Sequence, residues 1–110
     1  MPRTPKRLFG PAQLTNAAAT KYTVPAGTKT CIRHFHVENP GAQVTLTASI
    51  GADAAGTRIY DAIVVPANSQ GLVPYPFVEF WLEAAEILQV YASVASQLVL
   101  TVDGDEYTLG

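Results

Sequence analysis

Three segments of this chain alternate apolar and polar side chains with a period of two, and turn clusters lie too close on either side for helices to intervene. Val44, Leu46, Ala48 and Ile50 alternate with Thr45, Thr47 and Ser49. Val78, Phe80 and Leu82 alternate with Phe77, Glu79 and Trp81, and Leu98, Leu100 and Val102 form a third row. In a strand, residues two apart share a face, so each row predicts a strand with one face turned to a core. Segments 21–24, 28–37, 57–65 and 87–92 are rich in the β-branched and aromatic residues that suit a pleated surface. The punctuation agrees. Val24, Pro25, Ala26, Gly27 and Thr28 are nearly copied by Val65, Pro66, Ala67, Asn68 and Ser69. Proline at the second position of a turn presets φ, and glycine at the fourth suits a type I turn. Two short matches do not amount to an internal repeat. Asn39, Pro40 and Gly41, the segment 51–56, and Asp103 with Gly104 supply further reversals. The alanine-rich stretches 16–20 and 84–86 are too short to stand as helices. A parallel sheet needs long crossovers for which there is no room. The pattern predicts an all-β chain: a single antiparallel β-sandwich or jelly-roll-like domain of about eight strands over residues 13–110. An extended basic N-terminal arm over residues 1–12 precedes it.

At 110 residues the chain suffices for one domain, and 48% hydrophobic with 15% charged residues excludes a disordered one. A net charge of −2 gives no electrostatic case for nucleic acid, and no stretch approaches a membrane span. The first residues are basic but lack the apolar run of a signal peptide. With a single cysteine, Cys31, this leads to the expectation of a chain kept in a reducing cytoplasm and leaving, if at all, without Sec export. The distribution of charge says more than its sum. Residues 1–37 carry six basic and no acidic side chains, whereas residues 59–110 carry seven acidic and no basic ones. Either strands from the two halves alternate in space and the charges cancel within one subunit, or the basic arm of one copy meets the acidic half of another.

Catalytic chemistry finds little to work with. His34 and His36, two apart in a predicted strand, share a face with Ile32, while Cys31, Arg33, Phe35 and Val37 share the other. A tetrahedral metal site needs three or four ligands, and the chain has two histidines and one cysteine. A site shared between copies is the remaining metal reading, against hydrogen-bonded interface or core imidazoles. No Gly-x-Ser-x-Gly elbow or phosphate-binding glycine loop is present. Glu83 with Glu86, and Asp103 with Asp105, stand beside predicted turns, where solvated acids are ordinary. The expectation is no enzyme activity, no cofactor and no metal.

Candidate binding residues lie elsewhere. Pro74 and Pro76 flank Tyr75 and remove two amide donors, which suits a sheet edge. Tyr75, Phe77 and Trp81 then form an outward aromatic group. Such a group serves as a subunit interface or as a sugar-stacking platform, unless a loop covers it. In the arm, Arg3, Lys6 and Arg7 stand among prolines, and Leu8 and Phe9 give it apolar side chains with which to dock on a neighbour.

The run from Arg7 to Leu14, that from Tyr22 to Thr28, that from Ser49 to Arg58, and that from Leu82 to Gln89 with its Ala/Ser-rich continuation resemble small structural proteins of tailed bacteriophages. The resemblance spans most of the chain and rests on turn and strand signatures. It implies a virion β-sandwich that decorates and stabilises the capsid by binding capsid subunits, or else a tail or tail-tip protein, there with a carbohydrate-binding role. It further implies assembly in the host cytoplasm as a symmetric homo-oligomer, a trimer by analogy, whose partners are the major capsid or tail protein and, for a tail tip, a glycan. It transfers no active-site residue.

Overall fold

The computed structural model describes residues 3–72 and 79–108. They form nine strands: β1 (Arg3–Gln13), β2 (Thr20–Thr23), β3 (Thr28–Asn39), β4 (Val44–Ile50), β5 (Arg58–Val65), β6 (Ser69–Leu72), β7 (Phe80–Leu82), β8 (Ile87–Ala92) and β9 (Val99–Thr108). One sheet has the order β1-β9-β3-β6, with β7 also pairing β3, and the other has the order β2-β8-β4-β5. Every neighbouring pair is antiparallel. The chain is therefore the expected all-β sandwich. The strand count exceeds eight because two short strands share one edge of β3. β6 pairs residues 36–39 and β7 pairs residues 30–32.

The two sheets meet over a core in which Ile32, Phe35, Val37, Leu82, Leu100 and Val102 face Leu46, Ala48, Leu88, Val90 and Ala92, all 0–1% exposed. Full burial of one such Val, Leu, Ile or Phe side chain contributes about 1.5–3 kcal/mol. Tyr60 of β5 reaches across the sandwich to the rings of Phe35 (5.5 Å) and Phe80 (6.2 Å), closing one side with edge-to-face contacts.

The two similar turns behave alike. The Thr28 amide donates to the Pro25 carbonyl at 3.2 Å. Gly27 and its counterpart Asn68 both take positive φ, +69° and +50°. Glycine has no Cβ to clash there, and asparagine is among the side chains that tolerate it best. The turn thus begins at the proline, one residue later than expected, so the glycine sits at its third position.

Three expectations are corrected. Residues 3–12, expected within the arm, run with Gln13 along β9 of their own chain, with Arg3 opposite Tyr107 and Gln13 opposite Val99. An extended, proline-bearing segment suits an outer strand as well as a free arm, because an edge tolerates missing N–H groups. Asp103 and Gly104, expected at a reversal, lie in the middle of β9. There a Cβ on Gly104 would strike the Cys31 carbonyl, so the glycine serves close strand approach and not a turn. The third correction concerns phase in β3. Ile32 is opposite Gly104 and His34 opposite Asp103, so Arg33 is an extra residue. The bulge moves Phe35 and Val37 onto the same inner face as Ile32 and turns His34 and His36 outward.

Candidate functional site

Cross-strand partners share a face, so the register fixes what stands on the outside of the larger sheet. Arg3 and Arg7 of β1 are opposite Tyr107 and Asp103 of β9, Lys29 of β3 is opposite Tyr107, and Cys31 lies between Asp105 of β9 and Trp81 of β7. The face is dense in charge and the charges are paired. Arg33 is its hub: Nε donates to Asp105, one terminal nitrogen to Glu79, and the other to the Tyr107 hydroxyl at 3.1 Å. These bonds hold the guanidinium firmly protonated. Asp105, only 4% exposed, also receives Arg3 at 3.7 Å. Both guanidiniums approach the same oxygen, Oδ2, and their charge offsets part of the cost of burying the carboxylate.

Cys31 lies outside the main hydrophobic cluster although it is 1% exposed. Its thiol sits on the charged face, where burial pushes its pKa up, Arg33 opposes that shift, and the Glu79 and Asp105 carboxylates add to it.

The basic residues of the first strand are engaged within the subunit. Besides Arg3, Lys6 reaches Glu106 at 3.4 Å and Arg7 reaches Asp103 at 3.5 Å. Lys29 reaches Glu83 at 3.4 Å. Charge cancellation within one chain, the first of the two readings of the charge asymmetry, matches these pairs. Leu8 and Phe9 pack against the core, and the Lys21 ammonium lies 5.3 Å from the Phe9 ring centroid. Tyr75 and Phe77 lie outside the described residues. Trp81 points outward as expected, 45% exposed, while Leu82 beside it is fully buried.

The sequence pattern did not anticipate the neighbours of Trp81. The Tyr107 ring lies 5.2 Å away at a tilt of 40°, and the Lys29 ammonium stands 5.2 Å from the indole centroid. Tyr107 belongs to a strand whose register with β3 is set by pairing some 75 residues apart in sequence, and no local pattern encodes that. His34 and His36 are exposed on the same sheet. Among the described residues no group of three or more His, Cys, Asp or Glu is placed to hold a metal ion. A shallow depression of about 440 Å³ lies beside His34, lined by Lys6, Arg7, Arg33, Asp103 and Asp105. Its cations are those already paired with carboxylates.

The smaller sheet has its own ion pairs. Arg58 binds Asp53 through both Nε (2.9 Å) and a terminal nitrogen (3.2 Å) and also reaches Asp61. Arg58 holds the Asp53 carboxyl below the usual carboxylate range. On the edge strand β5, Ile59 and Val64 are 37% and 56% exposed.

No protein-family model matches the chain, and no curated protein matches it. Among solved structures, it is similar to a Bacillus protein described under the words "Bacillus endospore appendages form a novel family of disulfide-linked pili". The TM-score is 0.57 at 14% identity, over 98% of this chain and 89% of that one. At that identity the likeness establishes a shared fold along nearly the whole chain.

Proposed function

We propose that this chain is a non-enzymatic structural subunit, a β-sandwich that works by assembling with further copies of itself. The observation that carries the reading is the likeness, over 98% of the chain, to a protein described as forming pili. The resemblance of its turn and strand signatures to structural proteins of tailed phages points the same way, and within it the finer reading is a head-decoration protein clamping capsid subunits. The subunit recognises its neighbours through apolar contacts, because the charges on its larger sheet already answer one another. Among the described residues, the best-exposed aliphatic pair on one strand is Ile59 and Val64 of β5. Assembly stabilises whatever it binds by mass action, since only the folded, docked form takes part. Disulfide linkage is not the means proposed here, because the one thiol, Cys31, is buried.

Native mass spectrometry with negative-stain microscopy of the purified chain tests the proposal. A closed ring or an ordered fibre is the expected result. A species that stays monomeric at about 100 μM, the scale of a weak specific contact, and that fails to bind purified phage heads or tails would overturn it.

A further inference from the structure

We propose that the outer face of β7 is a binding site for a neutral carbohydrate, with the Trp81 indole as its platform. The inference is independent of the assembly reading. Glu79, Trp81 and Glu83 are spaced two apart, and the ion pairs of the two acids, with Arg33 and with Lys29, place both on the face where Trp81 lies exposed. At about 3.3 Å per residue, the backbone positions of the two acids lie roughly 6–7 Å from that of Trp81 on either side along the chain. That is the width of a pyranose ring. The aliphatic C–H face of a sugar can stack on the indole while its hydroxyls reach the acids, which are 51% and 66% exposed. Tyr107, 5.2 Å away at a tilt of 40°, packs against the indole and braces it, and the Lys29 ammonium ties Glu83 to the ring.

Charge selects a sugar over other occupants. Among the described residues around the indole, three cations, Arg3, Lys29 and Arg33, are matched by three carboxylates, Glu79, Glu83 and Asp105. A site with no net charge has no means of attracting an acidic or basic peptide. A second protein surface laid over it would have to desolvate the whole network to gain one indole. A single sugar ring covers the indole and leaves the charges in water.

Trp81 is the only tryptophan, so its fluorescence reads the site directly. The probes are the methyl glycosides of glucose, galactose and mannose, N-acetylglucosamine, and the β-1,4-linked tetramers of glucose and N-acetylglucosamine. A saturable change is expected with at least one of them, at a Kd of about 1 mM or below. Saturation-transfer NMR should show that affinity falling at least about tenfold in Trp81→Ala and by less in Trp81→Phe, which keeps an aromatic face. Circular dichroism confirms the fold of each variant, and Glu83→Ala, at an exposed position, should weaken binding without touching stability. Absence of a saturable response up to about 50 mM overturns the proposal. So does an emission shift that follows protein concentration and ignores sugar, since Trp81 would then be covered by a second copy.

Discussion

Asn39 is 1% exposed and does the work of several residues. Its amide nitrogen donates to the carbonyls of Ala42, Val65 and Pro66, and its side-chain oxygen accepts from the Gly41 amide and the Gln97 side chain. Three loops are thereby joined through one buried amide. Asn39→Ala leaves those groups unsatisfied and should cost about 2–4 kcal/mol, read as a lower urea midpoint at unchanged slope. From the sequence, Asn39 beside Pro40 and Gly41 was legible as a turn residue. Its partners 26 and 58 residues away were not, because nothing local encodes them. Tyr60 and Tyr22 carry a pH dependence. Burial pushes the Tyr60 phenol up to about 12. Burial first, and then the hydrogen bond to the Glu106 carboxylate, push Tyr22 up as well. The folded state therefore prefers both phenols protonated. Their contribution is complete below the ordinary tyrosine value near 10 and drains away as pH rises through the folded values. Stability should fall between about pH 10 and 12, and Tyr60→Phe, which keeps the ring contacts, should flatten that fall in urea titrations at the two pH limits.

At the scale of single strands, β1 and β3 decide most. Deleting residues 3–9 removes six residues paired with β9 along with the packing of Leu8 and Phe9. The loss should be about 2–4 kcal/mol, from two half-buried side chains and a sheet edge, with faster amide exchange along β9. A free arm would have left the sheet unchanged. Gly104→Ala should cost about 1–3 kcal/mol by overpacking against the Cys31 carbonyl. The strands themselves were legible because alternation and turn residues are local. The bulge at Arg33 was hidden because the sequence around it offers two mixed faces, and only pairing with β9 shows where the extra residue falls. Trp81 was found for the reason that succeeds most often: its neighbours Phe80 and Leu82 declare the inner face. Both long edges are also blunted. β1 holds Pro5 and Pro11 and two register shifts, and β5 has a bulge with Ala62 at φ +50°. These are features that discourage indiscriminate edge-to-edge growth.

For the molecule as a whole, the ion pairs lie within the subunit, so assembly should depend little on them. Raising salt from about 0.1 M to 1 M shortens the screening length from about 10 Å to 3 Å, and oligomers held by apolar contact should survive it in sedimentation velocity. Val64→Lys, placing a charge on an exposed position of β5, should instead shift the population to monomer with the fold intact. The whole-molecule fold class was legible from alternation and punctuation together, whereas the proposed self-assembly came only by resemblance, since a partner's surface leaves no pattern in one chain. One consequence concerns synthesis. β9 is made after every other described strand, yet it lies between β1 and β3 in the middle of its sheet. Until the ribosome has passed Thr108, the two strands that will flank it have nothing to join them, and this sheet exists only as separate pieces. A growing chain therefore completes the strands of its smaller sheet first, and one lost after residue 98 carries β1 without the strand that would hold it in place.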